Sequence, residues 1–168
     1  DETSRGLGDV YKRQAKMYDY VKDLYESGIK WEQTRDSIYF RYQVNQQDNY
    51  DITSKKLYCN GCFAAGINFA SSLVSLFYGE GDLKETIKIG TLSGWDSDNP
   101  TSTWGGLIGF IIGREMIEKE FDMELSSKFN IHRTRKNFPN EGIDTFENMA
   151  INGIKIVEKV VIEELNGK

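Results

Sequence analysis

Cysteine, proline and histidine are nearly absent from this 168-residue sequence, which holds two, two and one of them. Two cysteines cannot build a disulfide framework. With His132 they still fall short of the roughly four ligands of a structural zinc site. Cys59 and Cys62 form a lone CxxC, yet the preceding TSKKLY makes a poor strand, so the strand–CxxC–helix of a redox site is not expected. The pair reads as reduced thiols packed at a helix start. An excess of positive charge is also lacking. The formal net charge is −5, which argues against non-specific binding to nucleic acid or an anionic membrane. Long apolar runs are missing too: Trp104 to Gly113 stops at Arg114, well short of the about 20 residues of a bilayer span. No secretory signal is visible, so a cytoplasmic setting is the expectation.

What remains is ordinary globular material. Hydrophobic residues make up 39% and charged residues 28%, enough to build a core and too apolar for disorder. The length suits one domain. Residues 1–14, DETSRGLGDVYKRQ, are Gly- and charge-rich without a helical period, and they look like translated adapter sequence. They are expected to be a non-native leader ahead of residues 15–168.

The scarcity of proline leaves long periodic segments, and these predict helices. Met17, Tyr20, Val21 and Leu24 have helical spacing, with Gly28 as a stop. Trp31 to Tyr42 reads as a second helix, and the polar residues 43–56 as a loop of unusual length, functional or hiding a short helix. Asn60 to Tyr78 is apolar on most sides, through Phe63, Ile67, Ala70, Val74 and Phe77 and a second face of Phe69, Leu73 and Leu76. Such a helix is expected at the centre. Asp82 with Glu85 three residues on forms a capping box for the next helix. Gly105, Gly109 and Gly113 follow at one per turn. Each glycine costs a helix about 1 kcal/mol against alanine, so the spacing predicts that another backbone packs closely there. Residues 121–143 look irregular and polar, with basic residues His132, Arg133, Arg135 and Lys136. Asp144 and Glu147 are expected to cap a last helix carrying Ala150, Ile154, Val157, Val161 and Leu165. The sum is an all-α, compact multi-helix bundle.

Between the fourth and fifth of these helices stands Asp96-Ser97-Asp98-Asn99-Pro100. Residues two apart diverge by about 200° on a helix, so the aspartates converge only in a loop. Asn99 reads as an N-cap and Pro100 as the first helical residue, which leaves both acids in the loop, free to meet on a cation. Simple capping explains the same residues equally well, since Asp and Asn satisfy exposed N–H groups before helices. A phosphatase-type DxD would need a preceding apolar strand, and KIGTLSGW looks helical and then turned. An EF-hand would need a third acid, a glycine and a terminal glutamate at set spacing.

The run from Asn60 to Gly113, NGCFAAGINFA through GTLSGWDSDNPTSTWGGLIGFIIG, resembles the C-terminal half of the ADP-ribosylglycohydrolase family. That all-helical family typically carries G-G-D-[ST]-D-[ST] before a small-residue helix; here it reads Gly94-Trp95-Asp96-Ser97-Asp98-Asn99. The resemblance covers most of residues 31–165 and implies a partial domain of that type. It implies hydrolysis of the glycosidic bond to ADP-ribose with two Mg²⁺ or Mn²⁺ ions. The substrate would be an ADP-ribosylated protein or a small ADP-ribosyl compound. By motif position Asp96 ligates one metal and Asp98 lies between both. Asn99 stands where the family has a ligating Thr or Ser, and Trp95 replaces a glycine close to the expected substrate. Arg133, Arg135 and Lys136 are candidates for diphosphate contact or a solvated basic loop. The family's Thr-Asp-Asp-type acidic motif is not found, and Asp19, Asp23, Asp36 and Asp48 do not form it. The expectation is therefore an inactive fragment of a metal-dependent hydrolase. The alternative is a non-enzymatic family member, ADP-ribose-binding or structural like the related lens crystallins.

Overall fold

The structure, a computed structural model, describes residues 9–50, 64–131 and 136–167. The cysteine pair, the loop beyond Tyr50 and the basic residues 132–135 lie outside the described residues. The chain divides into two units, Asp1–Ile117 and Glu118–Lys168. The secondary structure is mostly helical.

In the first unit α1 spans Asp9–Glu26, beginning ahead of the apolar pattern, and buries Met17 and Val21 one turn apart. Gly28 ends it at φ 71°, with its N–H on the Tyr25 carbonyl and that of Ile29 on Leu24. These paired bonds close a helix end around a left-handed glycine. Helix α2, Trp31–Ile38, buries Thr34 and Ile38. It continues as a π-helical turn, Tyr39–Val44, and a 3₁₀ turn follows at Gln47–Asn49, so the first part of the expected loop is helical.

Helix α3, Ala65–Gly79, is central as its two-sided apolar pattern requires. Ile67, Ala70, Leu73 and Val74 are buried against Met17 and Val21 of α1, Ile38 of α2, Tyr42 and Ile89. Each of the larger buried side chains, Ile67, Leu73 and Val74, is worth roughly 1.5–3 kcal/mol. Helix α4, Leu83–Ser93, is capped by Asp82, whose side chain accepts the Glu85 N–H at 2.8 Å. The return half of the expected box is replaced, since the Asp82 N–H goes to the Gly79 carbonyl and the Glu85 carboxylate pairs with Lys88. Helix α5 is Asp98–Ile112 and α6 is Arg114–Phe121.

The glycine stripe behaves differently from expectation. A Cβ on Gly105 would meet only the Ile87 side chain, one on Gly109 only Ile117, and Gly113 is the left-handed C-cap of α5 with open space around it. Among the described residues no backbone lies within 4 Å of a methyl placed on that face. The close crossing lies elsewhere, between α3 and α4. A Cβ on Gly79 would collide with Thr86 Oγ1 and reach its backbone Cα at 2.8 Å, and one on Gly90 would meet Ser75 Oγ and Thr101 Cγ2 at 3.1 Å. Ser75 Oγ donates to the Thr86 carbonyl at 2.7 Å across this crossing. In the core, the Gln43 amide and the Ser71 hydroxyl are buried with no hydrogen-bond partner among the described residues.

The second unit is not purely helical. Strands β1, Lys128–Asn130, and β2, Ile143–Thr145, pair antiparallel with Phe129 opposite Asp144. The rings of Phe129 and Phe146 pack at a tilt of 47°, with centroids 5.3 Å apart. Helix α7, Phe146–Glu163, is capped by Thr145, whose hydroxyl accepts the Asn148 N–H at 3.1 Å. Asp144, the expected cap, instead takes the Asn148 amide and the Thr145 N–H, which hold its carboxyl below the ordinary range. None of the residues of α7 is buried, Ile154 and Val157 included. Among the described residues no helix is long and apolar enough to cross a membrane.

Candidate functional site

The chain leaves α4 through Gly94 at φ 89° and Trp95 at φ 55°. A tryptophan in the left-handed region costs roughly 1 kcal/mol or more. Its ring offsets this by packing on the core and stacking on Tyr39 at 6.1 Å and 29°. This turn sets the direction in which Asp96 emerges.

Asp96 is held through its backbone at both ends. Its N–H donates to Asn68 Oδ1 of α3 at 3.0 Å, and its carbonyl accepts the Asn99 N–H at 3.0 Å. That second bond starts the helical turn early. Asp98 is consequently the first residue of α5 rather than a loop residue, Ser97 takes the N-cap position without a side-chain bond, and Asn99 is not the cap. Pro100 still fits, buried in the first turn, where N–H groups have no partner inside the helix.

The two acids meet nonetheless. Asp96 sits just outside the helix and Asp98 at its start, so the 200° divergence within a helix does not apply. The Asp98 carboxyl lies close enough to act on that of Asp96. Interaction with it is the main cause that raises the Asp96 carboxyl above its ordinary range, followed by desolvation and like charge, while the Asn99 side chain pulls the other way. A proton shared between them, or a cation, relieves the repulsion. The α5 N-terminus favours negative charge at the same place.

Beside the pair opens a cleft of about 540 Å³, lined by Asp96 and Asn99 with Asn68, Ser72, Thr103 and Trp104 prominent on its walls. Trp104 Nε1 donates to the Ser72 carbonyl at 2.8 Å, which fixes the indole across the cleft. Trp95 is not part of this lining; its ring lies on Tyr39. Asn68, 28 residues from Asp96, carries no signal in the local sequence, and its role comes from the α3 contact alone.

As a donor set the pair offers carboxylate oxygens and one amide oxygen, the kind that hard divalent ions prefer. In number it is incomplete: among the described residues no group of three or more His, Cys, Asp or Glu side chains comes together. Asp48 is committed to Arg41 at 2.9 Å, and Asp36 to Arg35 at 2.7 Å. The arrangement can therefore contribute ligands to a metal site without enclosing one. Comparison with known proteins returns nothing for this chain: no family model matches it, and neither a curated protein nor a solved structure does.

Proposed function

We propose that this chain carries the C-terminal acidic half of an ADP-ribosylglycohydrolase-type site, whose complete form cleaves the glycosidic bond between ADP-ribose and a protein or small-molecule acceptor. The observation that supports this reading is the meeting of Asp96 and Asp98 at the start of α5, on the edge of a cleft. Asp96, Asp98 and the Asn99 amide oxygen would hold two Mg²⁺ or Mn²⁺ ions together with acidic ligands that this sequence does not supply. Metals held there would supply Lewis-acid stabilisation of charge developing at the glycosidic bond. The residues of the chain itself do the holding. Asn99 lowers the cost of charge on Asp96, the α5 N-terminus favours the anionic pair, and Trp104 with Phe69 gives the cleft apolar walls against which a ribose or base can lie. A cytoplasmic setting belongs to the same reading.

The test is metal-dependent release of ADP-ribose by the full-length parent. Asp98→Ala is expected to abolish it, and undiminished activity in that variant overturns the proposal. A second reading is favoured by the incomplete donor set: a non-enzymatic protein, binding ADP-ribose or serving a structural role. Calorimetry with Mn²⁺ and ADP-ribose separates the two. Binding without turnover indicates a binding module, and neither binding nor turnover a structural protein.

A further inference from the structure

One hydrogen bond crosses from α3 to the acidic turn. Asn68, in the first turn of α3, accepts the Asp96 N–H on Oδ1 at 3.0 Å and donates Nδ2 to the Ala64 carbonyl at 3.0 Å. These two bonds admit only one orientation of the amide, because a flipped side chain would set N–H against N–H and oxygen against oxygen. The peptide entering Asp96 is thus clamped from outside the turn, while the Asp96 carbonyl is clamped from within it by Asn99. Fixing both peptides fixes the Cα–Cβ direction, and with it the approach of the Asp96 carboxyl to Asp98. Asn68 also lines the cleft beside Asp96.

We infer that Asn68 is a positioning residue for the Asp96–Asp98 pair. It acts through the Asp96 amide, which its oxygen accepts. This inference rests on the metal reading of the pair given above.

The test compares the native chain with Asn68→Ala and Asn68→Asp, using two readouts: hydrogen exchange of the Asp96 amide, and the broadening of the Asp96–Asn99 amide signals by Mn²⁺. Aspartate keeps an oxygen acceptor for Asp96 but cannot donate to Ala64, so it separates clamping of the acid turn from support of the α3 start. In N68A the Asp96 amide is expected to exchange about fivefold faster, the worth of one neutral hydrogen bond. The Mn²⁺ concentration for half-broadening should rise by a similar factor. In N68D the amide should stay protected. Equal loss of protection in both variants, or none in N68A, overturns the positioning role. If N68A does not fold, N68D alone decides: a protected amide supports the role and an exposed one ends it. Where the native chain shows no Mn²⁺ effect, as its incomplete donor set allows, exchange of the Asp96 amide in N68A and N68D alone decides the positioning role. Broadening that is the same in native chain and N68A overturns the positioning role alone.

Discussion

Replacing Gly79 by alanine perturbs a place where two helices of the first unit approach through backbone. The added methyl would collide with Thr86 Oγ1, and its distance to Thr86 Cα would be 2.8 Å. A hydroxyl can rotate away, but a Cα cannot. The α3–α4 crossing must therefore open by several tenths of an ångström, and the buried bond from Ser75 to the Thr86 carbonyl lies directly across it. Overpacking of this kind costs about 1–3 kcal/mol, and loss of the buried hydrogen bond about 1 kcal/mol more. Alanine recovers part of this through helix propensity, at most about 1 kcal/mol and less in a last turn. The net expectation is a destabilisation of about 2–3 kcal/mol, or roughly 10 °C in Tm for a unit of this size. Urea unfolding followed by far-ultraviolet circular dichroism measures it. Gly106→Ala is the control: it is helical, exposed and has nothing within 4 Å of the new methyl. It should gain up to about 1 kcal/mol. If G79A proves as stable as the native chain, the close crossing is refuted.

Asp82→Ala removes the bond to the Glu85 N–H and should cost about 1 kcal/mol in the same unfolding assay, with Asp82→Ser largely restoring it. Gln43→Met removes two buried polar atoms that have no partner among the described residues, so it should stabilise the fold by about 1 kcal/mol; a loss of stability instead would refute a dry environment there. Carboxyl-detected NMR should find Asp96 titrating above its ordinary value and Asp144 below it, with Asp98→Asn lowering the first and Asn148→Ala raising the second. The signs for stability are opposite. The raised Asp96 favours the fold while protonated, and that contribution fades as pH rises from about 3.8 through the folded pKa. The contribution of Asp144 is present above 3.8 and is lost as pH falls through its depressed folded pKa. Unmoved midpoints in both variants would contradict these contacts.

Local chemistry was legible in the sequence and long-range placement was not. The Asp82 cap and the Gly28 stop involve neighbours along the chain, so spacing alone locates them. The central α3 follows from its two apolar faces. The start of α5 was misplaced because Trp95 adopts a left-handed conformation that residue type argues against, and the turn it creates moves the cap to Ser97. Periodic glycines advertised a backbone contact that two isoleucines fill, whereas the real crossing uses single glycines with no period to betray them. The hairpin escaped notice because KFN and IDT are too short to display alternation. In the site, the aspartates stood out as a pair, but Asn68 and Trp104 join them only after the helices have packed.

The tethered indole of Trp104 has a practical consequence. A molecule entering the cleft would come to rest beside a chromophore whose N–H is anchored to Ser72 and cannot swing aside. With Trp31 and Trp95 replaced by phenylalanine, the chain would keep a single emitter on the cleft wall. Its intrinsic fluorescence would then report occupancy directly, for any candidate nucleotide or sugar, without a label.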